Sequence, residues 1–136
     1  MSNTKFLVTG GGGFIGSNIV EALVQRGHSV RVLDNFSTGK RENLKEFDKD
    51  IETLEGDVRN FHVVEKAVRN VEVILHQAAL PSVPRSVADP ISSDQVNVQG
   101  TLNILYAAKE NGVRKVVFAS SSSVYAIKGI RDISAL

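Results

Sequence analysis

Two runs of small residues stand out in this 136-residue chain, a glycine run suited to a phosphorylated ligand and a serine run that is either a solvated linker or a set of hydroxyls facing a ligand. The first is Thr9-Gly10-Gly11-Gly12-Gly13-Phe14-Ile15-Gly16 and the second is Ser120-Ser121-Ser122-Ser123. Glycines let a chain reverse tightly and let a pyrophosphate approach the backbone. A helix starting at that turn offers the phosphate free N–H groups and a partial positive charge. Four consecutive glycines fit two registers, Gly10/Gly13/Gly16 and Gly11/Gly13/Gly16. In both, Gly16 allows a helix to lie close against the preceding strand. Asp34 follows Gly16 by 18 residues, near the spacing at which a carboxylate accepts hydrogen bonds from an adenosine ribose. A carboxylate there repels a 2′-phosphate, so the pattern favours NAD over NADP. Lys40 and Arg41 stand close enough in sequence to soften that repulsion.

These residues need a scaffold that brings strand ends together. Short apolar runs at Lys5–Thr9, Ser29–Leu33, Ile51–Glu55, Val71–His76 and Lys115–Ala119 alternate with helical patterns, which is the mark of a parallel sheet. Ile15, Ile19, Ala22 and Leu23 recur at helical spacing before Gly27, a residue suited to a left-handed helix end. Asn60 can cap a second helix bearing Val63, Val64, Ala67 and Val68. Ser92 or Ser93 can cap a third that carries Val98, Leu102 and Leu105 before Gly112. Right-handed crossovers then imply a doubly wound α/β sheet with the first strand central and ligands beyond the carboxyl ends of the strands. Both the glycine and the serine run fall at that edge. His76 closes an apolar strand and reads as a hydrogen-bonded structural residue rather than a catalytic one.

Composition narrows the partners. Sixteen Lys and Arg against fifteen Asp and Glu give a net charge of +1, which offers no basic field for nucleic acid, so none is expected as a partner. With no cysteine, disulfides and thiolate metal sites are excluded, and no metal site is expected. The polar start leads straight into a strand pattern and no apolar run approaches the roughly 18 residues of a membrane span. A cytoplasmic location away from membranes is the expectation.

Six blocks, in order, carry a resemblance to the extended short-chain dehydrogenase/reductase superfamily, and within it to NAD-dependent nucleotide-sugar epimerases. They are Val8–Asn18, Leu33–Gly39, Gly56–Asn60, His76–Ala79, Asn97–Thr101 and Phe118–Tyr125. The resemblance implies a Rossmann-type domain over residues 1–125, truncated after about the fifth strand, with residues 126–136 a tail unlike the family. It implies the Gly10/Gly13/Gly16 register, with Phe14 and Ile15 against the pyrophosphate and Asp34, Asn35, Phe36, Ser37, Thr38 and Gly39 around the ribose. Asp57 and Val58 correspond to the pair that contacts adenine, although Gly56-Asp57 taken alone is only a turn. Gln77, Ala78 and Ala79 would lie beside the nicotinamide half, and Asn97 matches a helix asparagine near the active site.

Counting back from Val124-Tyr125, Ser121 matches the family's catalytic Ser/Thr, which hydrogen-bonds the sugar oxygen being oxidised. Ser122 and Ser123 would face substrate. Related 4,6-dehydratases carry an Asp-Glu pair at those two positions, and two serines cannot supply its acid and base, so an epimerase is the expected class over a dehydratase or reductase. Ser82 and Val83 belong to a segment, Leu80–Ser86, similar to a substrate loop of epimerases that accept UDP-hexoses or UDP-N-acetylhexosamines. The family's Tyr-x-x-x-Lys pattern does not occur in these 136 residues, so the alternative of a non-catalytic NAD-binding module stays open for this chain. A homodimer is the expected assembly.

Overall fold

Runs of β-branched and aromatic residues favour extended chain, and helical patterns between them return the chain to the same sheet edge. A computed structural model describes residues 3–121 and Val124. Its strands are β1 (Lys5–Thr9), β2 (Ser29–Asp34), β3 (Ile51–Glu55), β4 (Val73–His76) and β5 (Lys115–Phe118). All four pairings are parallel, in the order β3-β2-β1-β4-β5. The central position of β1 and its register place Thr9 beside Leu33 of β2 and His76 of β4.

Alternating residues of β1 serve two cores. Val8 packs with Val20 and Leu23 of helix α1 (Phe14–Gln25), whereas Leu7 packs with Val64 and Val68 of α2 (Phe61–Val68) and Ile104 of α5 (Gly100–Glu110). Helices thus cover both faces, as in a doubly wound sheet. Gly27 ends α1 in the left-handed conformation, with φ +78°, and the Asn60 side chain accepts from the His62 and Val63 N–H groups to start α2. The far end of α2 is closed by a buried cation. Arg31 Nη1 donates to the carbonyls of Ala67 and Arg69 at 2.7 and 2.8 Å, while its Nε donates to Glu52 at 2.8 Å. Carbonyls left over at the helix end are satisfied by a strand residue rather than by water.

The structure differs from the sequence reading in some element bounds and adds to it elsewhere. β4 begins at Val73 because Val71 belongs to the turn after α2, its N–H bonded to Val68 O beside a left-handed Asn70. Between β2 and β3 the connection is a 3₁₀ segment, Arg41–Phe47, anchored by buried Leu44. The long helix before β5 is capped by Asp89, whose carboxylate accepts from Ser92 N at 3.0 Å, and not by Ser92 or Ser93. Pro90 occupies the first helical position, where its fixed φ suits a helix start, and this moves the cap back to Asp89.

From Asp89 the chain runs through α4 (Pro90–Asp94) and a π-helical turn (Gln95–Gln99) into α5. The π turn is closed by Gly100 N–H donating to Gln95 O. A short helix, α3 (Val83–Ala88), precedes them. Ile104, Ala107 and Ala108 form the packed face of α5, so Val98, Leu102 and Leu105 face outward. Among the described residues no helix is long and apolar enough to cross a membrane.

Candidate functional site

Because the strands are parallel, the loops after β1, β2, β3 and β4 emerge together, and they enclose a groove of about 420 Å³. All four segments singled out from the sequence line it: the glycine turn, the stretch from Asp34 to Gly39, Asp57-Val58 and Gln77–Ala79. Of the candidate cofactor residues in these segments only Phe36 does not line the groove, and Asn97 does not either. Leu33, Gly56, Leu80, Pro81 and Val96 complete the wall. Gly56 and Leu33 adjoin residues already singled out; Val96 had no local signal, since the π turn alone brings it there.

Each glycine of the turn answers a different constraint. Gly10 has φ +68°, and a Cβ on it would stand 2.8 Å from Ala78 N, so the tight reversal and the neighbouring loop both demand glycine. A Cβ on Gly16 would stand 2.1 Å from Gly10 O, which is the close helix-to-strand packing read from the sequence. Gly13 differs. A Cβ there would meet only Gly10 O at 3.3 Å and otherwise project into the groove. Gly13 is also the N-cap of α1, contributes no side-chain cap, and is followed by a first turn without acidic residues. The N–H groups of that turn have no intrahelical partner and face a lining the helix makes electropositive, which suits a pyrophosphate. The cradle therefore fits a dinucleotide.

Asp34 has a task the sequence did not reveal. One carboxylate oxygen accepts from Gly12 N and the other from Phe36 N, both at 2.8 Å, so it ties the glycine turn to the loop after β2. Each oxygen retains a second lone pair for a ribose hydroxyl. Phe36, left-handed at φ +54°, tucks its ring under the turn, where a Cβ on Gly12 would touch it at 2.7 Å. The guanidinium of Arg41 lies over that ring at 4.3 Å and pairs with Glu55. Arg41 is thus engaged by a carboxylate rather than held ready for a 2′-phosphate. Asp57 is gripped by Arg59 at 2.7 Å and by Asn35 at 3.0 Å, and the Arg59 hydrogen bonds hold its carboxyl down at about 2.

His76 is buried and hydrogen-bonded through both ring nitrogens, to Thr9 Oγ1 at 2.6 Å and to Thr101 Oγ1 at 3.0 Å. Burial pushes its pKa from 6.5 down to about 4. Between those values the unfolded chain binds a proton that the folded chain refuses, so stability is full above pH 6.5 and falls as the pH drops. The expected loss approaches about 1.4 kcal/mol per pH unit. Glu52, Asp57 and Asp89, whose carboxyls are held below their ordinary values of 4.5, 3.8 and 3.8, begin to lose their contributions only near and below pH 4.5. Urea denaturation at pH 6.5, 5.5 and 4.5 checks this, with His76→Gln expected to flatten the profile; an equal slope in both proteins would assign it to other groups.

The residues offered for sugar recognition stand apart from the groove lining. Ser82 has φ +100° and accepts from Arg85 N as the cap of α3, and Val83 is exposed on the first turn of that helix. Ser121 is exposed beyond the end of β5, where its carbonyl accepts from Val124 N at 3.3 Å. Ser122 and Ser123 lie outside the described residues. Asn97, in the π turn, directs its side-chain amide to the backbone of Leu80, accepting from the N–H at 2.8 Å and donating to the carbonyl at 3.1 Å.

A parallel doubly wound sheet with a glycine turn, a capless helix N-terminus and an acidic second strand end at one groove defines a dinucleotide-binding α/β domain. Over residues 6–134 the chain matches the model of the NAD dependent epimerase/dehydratase family, and it belongs to that family. The match extends into the residues beyond 125 that the sequence reading set apart. A putative UDP-glucose 4-epimerase of Methanocaldococcus jannaschii is 42% identical over 116 residues, covering 85% of this chain and 37% of that protein. A UDP-glucose 4-epimerase of Klebsiella pneumoniae is 39% identical over 127 residues, 89% of this chain and 91% of the other. The crystal structure of the Thermus thermophilus UDP-glucose 4-epimerase in complex with NAD superposes with a TM-score of 0.81 at 48% identity, covering 87% of this chain. This chain spans 38% of the Thermus chain's length.

Proposed function

We propose that this chain is the NAD-binding part of a nucleotide-sugar 4-epimerase of the UDP-glucose or UDP-N-acetylglucosamine class. The observation that carries the reading is one groove bordered by both the open N-terminus of α1 at Gly13 and the Asp34 carboxylate. Bound NAD supplies a hydride acceptor for transient oxidation at C4 of the sugar. In this reading the first-turn N–H groups of α1 hold the pyrophosphate, and Asp34 takes the ribose hydroxyls on its remaining lone pairs. Asp57 and Val58 border adenine, and the small side chains of Ala78 and Ala79 leave room for the nicotinamide half. Ser121 hydrogen-bonds the sugar oxygen and helps pass its proton, with Ser82, Val83, Ser122 and Ser123 around the sugar. The outward apolar residues Val98 of the π turn and Leu102 and Leu105 of α5 suit a homodimer contact.

Calorimetric titration with NAD and NADP tests the cofactor assignment. A 2′-phosphate would meet Asp34 without a free cation in Arg41, so NAD is expected to bind at least about tenfold more tightly, a difference of roughly 1.4 kcal/mol. Equal affinities would remove Asp34 from this role.

A further inference from the structure

We infer that Thr9, His76 and Thr101, none of which lines the groove, form with Asn97 one oriented hydrogen-bond chain that positions the Gln77–Leu80 wall for the dinucleotide. The inference rests on the proposal that the groove takes NAD. Direction follows from counting donors. Thr9 Oγ1 lies 3.1 Å from both the Ala78 and the Gln77 N–H groups, the latter shared with the Thr9 carbonyl. These backbone groups can only donate, so they occupy the hydroxyl's lone pairs and its proton must point to His76 Nδ1, 2.6 Å away.

His76 then accepts at Nδ1 and carries its proton on Nε2, which donates to Thr101 Oγ1 at 3.0 Å. The Thr101 hydroxyl donates in turn to Asn97 O at 2.7 Å, and the Asn97 side chain closes on both backbone groups of Leu80. Starting at Ala78 and ending at Leu80, the chain grips its wall at both ends. The π turn matters because it carries Asn97 within the same helical run as Thr101, and such turns recur at functional sites.

Two features make the arrangement restrictive. Ala78 abuts the glycine turn so closely that a Cβ on Gly10 would meet its N at 2.8 Å and its Cα at 2.9 Å. Displacing this wall therefore disturbs the turn that faces the ligand. Each link also has a single allowed proton direction, so removing the Thr9 hydroxyl leaves His76 Nδ1 and the Ala78 N–H unpaired together. Burial keeps the ring neutral at ordinary pH, and the groups meeting it, Thr9 from β1, Thr101 from α5 and Phe118 from β5, are uncharged and offer no carboxylate to oppose that.

The test compares the unmodified chain with Thr9→Val, which keeps the shape, and Thr9→Ser, which restores the hydroxyl. Expected are a loss of NAD affinity of about tenfold or more in T9V by calorimetry, recovery in T9S, and the same direction of change in T101V with rescue by T101S. Nitrogen-15 spectra of the His76 ring should show a neutral ring protonated at Nε2 in the unmodified chain and in T9S. A proton on Nδ1 in the unmodified chain overturns the oriented chain whatever the affinities. Unmodified protein that binds NAD alongside T9V of equal affinity overturns the positioning role alone, whereas failure of the unmodified protein to bind NAD overturns the proposed function and the positioning role with it.

Discussion

Gly13→Val is expected to weaken dinucleotide binding by about a hundredfold or more while leaving the fold intact. Gly13 has an extended backbone, φ −76° and ψ 174°, which any residue adopts. A Cβ would meet only Gly10 O at 3.3 Å, so the backbone need shift by no more than a few tenths of an ångström. The rest of the valine side chain would occupy the space where, in the proposed binding mode, a pyrophosphate approaches the first-turn N–H groups of α1. Losing two charge-assisted hydrogen bonds of roughly 1.5 kcal/mol each accounts for the hundredfold. Calorimetry with NAD reads the affinity and circular dichroism during heating reads the fold. Gly16→Val provides the contrast, since its Cβ would stand 2.1 Å from Gly10 O and should lower stability first. Undiminished affinity in G13V would mean that the ligand does not pass over this turn.

The second large effect concerns turnover. Within the 136 residues there is no Tyr-x-x-x-Lys pattern, and a serine hydroxyl such as that of Ser121 is by itself a poor base, since a neutral alcohol oxygen accepts a proton only in strong acid. Positioned general acid–base groups contribute about a hundredfold to ten-thousandfold in rate. The chain incubated with NAD and either UDP-glucose or UDP-N-acetylglucosamine is therefore expected to interconvert C4 epimers at least about a hundredfold more slowly than a complete epimerase. Chromatographic separation of the epimers measures it. Turnover matching a complete enzyme would require another base. His76 would be the first to examine, although its burial and low pKa make it an unpromising one.

Asn60, Gly27 and the five apolar runs announced their elements because each acts within a few residues: a cap, a left-handed stop, an alternation of buried and exposed positions. The helix before β5 was less legible. The apolar residues read at helical spacing, Val98, Leu102 and Leu105, belong to the outward face, while the buried face uses Gly100, Asn103, Ile104, Ala107 and Ala108. Periodicity identifies a stripe but does not say what covers it. The cap was misplaced for a similar reason, because serine, aspartate and asparagine are interchangeable as local signals until Pro90 chooses among them.

By itself the sequence determined the parallel alternation, the order of the crossovers and the segments that would meet at the carboxyl edge, since these follow from local patterns and from the handedness of the connections. It also marked Gly13 and Gly16, whose roles depend on the short path from strand to helix, while spacing alone left the first glycine open between Gly10 and Gly11; the left-handed φ of +68° assigns it to Gly10. Only the tertiary structure decided how side chains far apart in sequence share protons and charge. Asp34 proved to hold Gly12, Arg41 proved to be engaged by Glu55, and Arg31 proved to close a helix in another layer. Thr9, His76, Thr101 and Asn97 became one chain because parallel register sets β1 beside β4 and the π turn brings the helix over them. Hydrogen bonds depend on distances of a few tenths of an ångström between groups up to 69 residues apart, and no pattern of residue types along a single chain encodes such distances.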